Sequence, residues 1–482
     1  MSQIIFPSVY PVTGHTDFVG QGSTFVAITG SKQNGLNFVP LALEKGAKKI
    51  VVSVNETISQ ELAKLTRKHN AKLEFVDDTR KALAELSAQA LDFPAKRLKI
   101  VGITGTKGKT SSSYMAYHML HAIGKKVALV STIEKRIGSE LIAMPLTTPL
   151  PDQLQMFLRL CVDHAIEYVV LEVSAQALTL NRVEGIDFLA GVFTNFSHEH
   201  LEFYKNLPEY FAAKALLVNK IKNPKNMFIN IDDQYGHQLF LKNPECSTFS
   251  FQNKQATLYG CTHQADGQVM LHVKNNNELY SIFIPFLGTF NAYNLLGVLG
   301  LMRALEIDFS QLKYALKDLP HVPGRMEKYQ LKNGAICFID YAHNPSSFEA
   351  VLSTLRSMTS HLIVVFGAGG NRDPQKRPLM GAIAQKYCDV VIVTSDNPRD
   401  ESPLDIALAI EKGFDFTKKF EFYQELNRVK AIELGHELSK KGSVLAILGK
   451  GRDEYQIVGA LTFPFKERSI IRPFMIEHEH SN

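Results

Sequence analysis

Cysteine is scarce: five in 482 residues, Cys161, Cys246, Cys261, Cys337 and Cys388, far apart and with no CxxC pair. That spacing argues against a disulfide framework or a thiolate metal site and predicts buried, reduced thiols. Long apolar runs are missing as well. No window reaches the ~18 apolar residues that a membrane span needs. The start, MSQIIFPSVYPVTGH, lacks the basic and apolar regions of a secretory signal. A cytosolic address, with no membrane partner, is the expectation. Excess charge of one sign is also absent: 53 Lys and Arg against 48 Asp and Glu leave +5. So small and evenly spread a balance marks no nucleic-acid surface. There is no internal repeat or low-complexity tract.

What is present is material for buried cores: 45% hydrophobic and 10% aromatic residues. At roughly 150 residues per domain, about three domains are expected. Short β-branched runs alternate with helical stretches, which predicts α/β architecture with parallel-rich sheets. The first run holds strands at Ser23 to Ile28, Lys48 to Val54 and Lys72 to Val76, with a helix over Leu36 to Lys45. It ends at a linker, Asp92 to Arg97. A second run has strands at LKIVGIT, Val127 to Ser131, Tyr168 to Val173 and Ala190 to Thr194, and closes near a helix at Ala292 to Leu305. The segment KDLPHVPGRMEKY marks another boundary. Five further strands begin near Ala335, Leu362, Val390, Phe420 and Val444. The expected domains are 1–97, 98–322 and 323–482.

The sharpest chemical signal is GITGTKGKTSSSY, a buried strand running into glycines and then a helix. Position 103 is Ile103, so the loop is the short form Gly105, Thr106, Lys107, Gly108, Lys109, Thr110, followed by Ser111. Glycines let backbone N–H groups approach phosphate oxygens, Lys109 supplies a point charge, and the Thr110 hydroxyl can ligate Mg²⁺. The strand YVVLEV ends in Glu172, where an acid is costly unless it serves something such as a metal. A solvated strand-end glutamate is the plainer reading. GVFTNFSHEH places Asn195, His198, Glu199 and His200 past another strand, at the edge where ligands collect. A zinc site at His198 and His200 is disfavoured, because i, i+2 side chains diverge on a strand.

These segments, in order, resemble the Mur ligase family, and most its UDP-N-acetylmuramoyl-tripeptide synthetase branch. The matching runs are GTKGKT, LTTP, EVSAQAL with Arg182, FTNFSHEHLEFY, YFAAKALL around Lys214, NIDD, GTFNAYN, VPGRME, DYAHNP, GAGGNRD, SDNPRDESP and GKGRDEYQ. The resemblance covers nearly the whole chain. It implies an ATP-dependent amide ligase with a UDP-sugar-binding N-terminal domain, a P-loop central domain and a Rossmann-like C-terminal domain. ATP would convert the acceptor's carboxylate to an acyl phosphate, which an amino acid's amine then attacks.

The resemblance also implies roles. Lys109 would stabilise the transferring phosphoryl group, Thr110 and Glu172 would hold one Mg²⁺, and His200 a second. Lys214 would be carbamylated (N6-carboxylysine); an ordinary lysine on an amphipathic helix is the alternative. Asn291, Asn294, Arg325, Asp340 and His343 would complete the ATP site. Thr16, Thr147, Thr148, Ser174 and Arg182 would meet the UDP-linked dipeptide. Arg372, Asp396, Asn397, Pro398, Arg399, Gly449 and Asp453 would form the amino-acid pocket. DNPR resembles the signature of enzymes that add meso-diaminopimelate, whose distal carboxylate suits a bidentate guanidinium. The bland alternative has Arg399 merely pairing with Asp400 or Glu401. A monomer is expected.

Three departures fall on substrate-facing motifs. Asp-Ser-Arg becomes His15, Thr16, Asp17. The Ser-His of Glu-Val-Ser-Ser-His-Ala becomes Ala175, Gln176. The end of Gly-Lys-Gly-His-Glu becomes Arg452, Asp453, a shorter acid. Other readings therefore stay open: a paralogue that joins L-lysine or serves another nucleotide-linked or secondary-metabolite substrate, a folylpolyglutamate-synthase-like ligase, or a non-catalytic nucleotide-binding scaffold. About 97 residues before the phosphate loop weigh against the folate reading.

Overall fold

The computed structural model describes residues 4–30, 33–144, 146–197, 203–265, 268–275, 278–284, 286–317 and 319–476. The chain divides into two compact units. One comprises Met1–Pro285 with Ala292–Leu319, the other Phe286–Asn291 with Pro320–Asn482. Among the described residues no helix is long and apolar enough to cross a membrane.

In the first unit, β1 (Val12–Thr13), β2 (Thr24–Val26), β3 (Lys49–Ser53) and β4 (Lys72–Val76) form a small parallel sheet in sequence order. The expected helix over Leu36 to Lys45 is in part a 3-10 turn, Gly35–Phe38, with α-helix only at Val39–Glu44. Gly35 opens that turn hard against the chain leaving β2, where a Cβ would fall 2.4 Å from Ile28 N and 2.6 Å from the Ala27 carbonyl carbon. The expected linker also differs. Pro94–Arg97 is a 3-10 turn with Pro94 and Ala95 buried, and Ala95 joins the core beneath Leu154 and Phe157.

The same unit holds an eleven-stranded sheet built from β5 (Lys99–Thr104), β6 (Val127–Val130), β7 (Lys135–Ile137), β8 (Glu140–Ile142), β9 (Tyr168–Glu172), β10 (Ala190–Phe193), β11 (Met227–Asn230), β12 (Ser247–Ser250), β13 (Leu258–Ala265), β14 (Gln268–Asn275) and β15 (Glu278–Ile284). Their order is β15-β14-β13-β12-β11-β10-β5-β9-β6-β7-β8. The middle is parallel and apolar on both faces, which explains its unbroken Val, Ile and Leu runs. Antiparallel strands extend both edges. Sequence patterning missed β11 to β15: β11 and β12 are largely buried but only four residues each, and β13 to β15 carry mixed polar and apolar residues. Cys261 corrects the thiol expectation: it lies exposed on β13, while the other four cysteines are buried and all five are free.

The second unit is a six-stranded sheet of β16 (Glu327–Gln330), β17 (Ile336–Asp340), β18 (Leu362–Phe366), β19 (Val390–Val393), β20 (Glu421–Gln424) and β21 (Val444–Leu448), ordered β16-β17-β21-β18-β19-β20. All pairs are parallel except β16 with β17. A ribbon of β22 (Tyr455–Val458) and β23 (Leu461–Pro464) follows. In register, Asp340 and Phe366 both face Leu448, so the carboxyl ends of β17, β18 and β21 are level. Ligands collect at such an edge.

Candidate functional site

The phosphate loop lies between β5 and the helix Lys109–Ala122. Its glycines are steric requirements. A Cβ on Gly105, at φ +143°, would fall 1.9 Å from Thr194 Oγ1, and one on Gly108, at φ +82°, 2.1 Å from Asn294 Oδ1. The loop is pinned by side chains from the next strand end. Asn195 Oδ1 accepts from Lys107 N at 2.9 Å, and Thr194 Oγ1 donates to the Lys107 carbonyl at 2.6 Å. Thr106 Oγ1 accepts from Ser197 N at 3.1 Å, and Ser111 is buried in the first helical turn. Lys109 Nζ curls back onto the carbonyls of Gly105 and Thr106, both at 2.9 Å. Asn294 meets the loop at Gly108.

Two further groups converge there. Lys214, 2% exposed, donates from Nζ to the Gly105 carbonyl at 2.7 Å and lies over the Tyr210 ring at 4.6 Å. It is therefore no ordinary surface lysine. Glu172, 1% exposed, accepts from Thr110 Oγ1 at 3.1 and 3.2 Å, from Thr132 N at 2.8 Å and from Thr132 Oγ1 at 3.0 Å. The solvated-glutamate reading of Glu172 is thus corrected. Its partners are neutral, and its carboxylate with the Thr110 and Thr132 hydroxyls offers oxygen donors, which suit a hard divalent cation. Among the described residues no group of three His, Cys, Asp or Glu forms a metal cage. His198, Glu199 and His200 lie outside the described residues.

Thr148 and Ser174 lie behind Glu172. Thr148 Oγ1 donates to the Glu172 carbonyl at 2.8 Å and accepts from Ser174 N at 3.2 Å, while Ser174 caps the helix Ala175–Thr179. Thr147 reaches Thr132 at 3.0 Å. Arg182 donates to the Thr148 carbonyl at 3.0 Å, yet its buried Nε has no hydrogen-bond partner among the described residues. Burial and then the nearby charge of Arg80 lower its pKa. Thr147, Thr148, Ser174 and Arg182 are thus contiguous. Thr16 is not among these contacts; it opens the turn Thr16–Phe18, where its carbonyl accepts from Lys45 Nζ at 2.9 Å. The end of β1 just before that turn is held by Asp152, which sequence reading missed: buried, it accepts from Thr13 Oγ1 at 2.7 Å and Gly14 N at 3.2 Å.

In the second unit, Asp340 ends β17 and accepts from Met326 N and Ala342 N, both at 2.7 Å. Arg325 lies over the Tyr341 ring at 4.6 Å. The His343 ring meets the Tyr341 carbonyl at 2.8 Å through Nδ1. Asn291 Nδ2 donates to the Leu287 carbonyl at 2.8 Å.

Arg399 has φ +52° and donates from Nη1 to the Gly370 carbonyl at 2.7 Å. The pairing with Asp400 or Glu401 is overturned: Asp400 takes Asn371 at 2.9 Å, and Glu401 takes Arg377 at 2.8 Å. Exposed Arg372 lies beside Gly369: a Cβ there would fall 3.1 Å from Arg399 Nη1 and 3.6 Å from Arg372 Cγ, so both side chains pass the same glycine. Behind them Lys450, fully buried, pairs with Asp396 at 3.3 Å and donates to Asn397 Oδ1 at 2.9 Å. Lys450 holds the Asp396 carboxyl below the ordinary range against the opposing effect of burial. A Cβ on Gly449 would fall 2.8 Å from Asp396 Oδ2, and the Pro398 carbonyl fills the space beside Gly370. Asp453 is hydrogen-bonded to Tyr455, and burial and then Asp396 push its pKa up. Burial and then Asp453 push the Tyr341 phenol up to about 12.

Residues 103–302 match the Mur ligase middle domain, and residues 324–451 match the Mur ligase, glutamate ligase domain. The chain belongs to the Mur ligase family, a family of ATP-dependent ligases. It is 35% identical over 454 residues to the UDP-N-acetylmuramoyl-L-alanyl-D-glutamate--2,6-diaminopimelate ligase of Fusobacterium nucleatum, covering 93% of this chain and 90% of that one. It is 38% identical over 476 residues to the first such ligase of Clostridium acetobutylicum, covering 95% and 93%. A solved structure of a UDP-N-acetylmuramoyl-L-alanyl-D-glutamate--2,6-diaminopimelate ligase superimposes with a TM-score of 0.68 at 28% identity, covering 96% of this chain and 94% of that one.

Proposed function

We propose that this chain joins meso-diaminopimelate to UDP-N-acetylmuramoyl-L-alanyl-D-glutamate, with ATP cleaved to ADP and phosphate, as a cytoplasmic step of peptidoglycan precursor synthesis. The observation that carries this reading is the convergence of Lys109, Lys214 and the Thr110–Glu172 pair on one phosphate loop. The loop's backbone N–H groups and Lys109 hold the outer phosphates of ATP. Lys109 stays with the γ-phosphoryl group as it moves to the acceptor carboxylate, leaving ADP and an acyl phosphate. Thr110 and Glu172 would hold one Mg²⁺ and His200 a second, and these supply charge neutralisation at the phosphates. Carbamylation would make Lys214 an anion that orients this polar cluster.

Arg182, with its unsatisfied Nε, and Thr147, Thr148 and Ser174 serve the dipeptide end of the acceptor. Thr16 lies in the turn proposed for the UDP end. Asn291, Asn294, Arg325, Asp340 and His343 serve the base and ribose side of ATP. Arg399 and Arg372 take the distal carboxylate of diaminopimelate, with Asn397, Pro398 and Gly449 shaping the pocket and Asp396 and Asp453 favouring its ammonium. The free amine attacks the acyl carbon, and phosphate leaves the tetrahedral intermediate. The proposed domains are 1–97 for the UDP-sugar end, 98–322 for ATP and 323–482 for the amino acid.

The test is phosphate release by the purified protein with ATP and Mg²⁺. Release that depends on UDP-N-acetylmuramoyl-L-alanyl-D-glutamate and on diaminopimelate together is expected. Turnover indifferent to the nucleotide dipeptide would refute the reading.

A further inference from the structure

Arg428 opens the helix Arg428–Glu437 and is 2% exposed. Its Nε and Nη2 donate to Glu467 Oε1 at 2.8 and 2.6 Å, and the pair is buried on both sides. Two further donors go to backbone carbonyls: Nη2 to Leu448 at 2.8 Å and Nη1 to Ser395 at 3.2 Å. Leu448 is the last residue of β21, and Ser395 lies just past the end of β19. These strands are not neighbours, because β18 runs between them. One guanidinium therefore spans three strands and fixes the level at which two separate loops leave the sheet.

The loops it fixes are those of the amino-acid pocket. Leu448 leads directly into Gly449 and Lys450, and Ser395 into Asp396 and Asn397. Lys450 closes the same gap a second time, through Asp396, Asn397 and the Tyr455 carbonyl at 2.9 Å. A fully buried ion pair is a poor device for stability alone, since its desolvation cost rivals its Coulombic gain and an apolar replacement is often neutral. It is a good device for fixing geometry. The fork of an arginine can serve one carboxylate and two carbonyls at set angles, which a lysine cannot. Glu467 comes from the short helix Glu467–Ile471, beyond the last of the matched motifs.

We propose that Arg428, oriented by Glu467, is a positioning residue for the amino-acid substrate: it sets the spacing between the loops at 395–399 and 448–453 without touching the substrate. The inference rests on the function proposed above. Its test compares full-length wild type with Arg428→Lys, Arg428→Met and Glu467→Gln. The readouts are KM for the amino acid, for ATP and for the nucleotide dipeptide, together with kcat and the melting temperature.

Arg428→Lys and Glu467→Gln should raise the amino-acid KM about tenfold or more, with the other two KM values within about twofold of wild type. Arg428→Lys should retain more amino-acid affinity than Arg428→Met. An unchanged amino-acid KM, a parallel rise in all three KM values, or a fall in kcat alone would overturn the inference, as would failure of every variant to fold. A wild type that uses a different amino acid corrects the proposed substrate, and the KM ratio is then read with that amino acid. A wild type with no amino-acid dependence overturns both.

Discussion

Lys214 Nζ donates a 2.7 Å hydrogen bond to the carbonyl of Gly105, which brings a helix 109 residues downstream onto the first residue of the phosphate loop. A buried lysine at that place, stacked over Tyr210, is too costly to be incidental. Lys214→Ala should be nearly inactive. If the working form is the carbamate, short carboxylic acids added to the assay should restore part of the rate by filling the vacated anionic position. An inactive mutant with no rescue would argue against the carbamate, and an active one against any role for the lysine.

Lys109 donates to the loop carbonyls of Gly105 and Thr106, contacts that phosphate oxygens can replace at little structural cost. Lys109→Ala should lower kcat on the order of 10²-fold or more, as expected for one preorganised charge contact. The melting temperature should stay within a few degrees of wild type. Steady-state kinetics paired with a melting curve is the check; near-normal kcat would remove Lys109 from the phosphate site.

Gly105→Ala places a methyl group 1.9 Å from Thr194 Oγ1 at a φ of +143°. An L-residue is strained in such backbone by about 1–3 kcal/mol, and Thr194 must release the Lys107 carbonyl. ATP affinity should fall more than stability does. Calorimetric titration with ATP and denaturant unfolding, run on the same preparation, separate the two effects.

His118 gives a pH prediction with a definite sign. Burial, then Arg136 and His121, lower its pKa from 6.5 to about 4, and its buried Nε2 has no hydrogen-bond partner among the described residues. The folded state therefore favours neutral imidazole, while the unfolded chain takes up a proton from about pH 6.5 downward. Stability is fully present above that pH and is lost as pH falls towards 4. Because the ring is only partly buried, the loss is about 1–2 kcal/mol rather than the full shift. Urea unfolding of wild type and His118→Gln at pH 7 and pH 4 should show a shallower acid loss in the mutant. Equal losses would contradict this.

The phosphate loop and Glu172 were legible in the sequence because each is an expensive arrangement in a patterned setting: glycines after an apolar strand, an acid at a strand end. Lys214 was reached only through the family resemblance of the YFAAKALL run. The strands β11 to β15 were not legible: β11 and β12 are only four residues each, and β13 to β15 carry too mixed a pattern to stand out. Thr132 and Asp152 escaped because nothing local marks a threonine or aspartate whose partner lies 40 or 139 residues away. Arg428 escaped for the same reason, its burial being created entirely by tertiary packing. The roles of Arg325, Asp340 and His343 rest on resemblance, as short motifs outside any strong periodicity.

The most direct test of the account is a competition. The enzyme receives ATP, UDP-N-acetylmuramoyl-L-alanyl-D-glutamate and equal concentrations of meso-diaminopimelate and L-lysine, and the products are weighed by mass spectrometry. Only diaminopimelate offers a distal carboxylate to Arg399, whose guanidinium bonds the Gly370 carbonyl rather than Asp400 or Glu401. Removing one partner of a desolvated arginine–carboxylate contact costs roughly 2–5 kcal/mol, so diaminopimelate should win by on the order of 30-fold or more. Arg399→Ala should erode that preference. Equal incorporation, or a lysine product with Arg399 intact, would contradict the account.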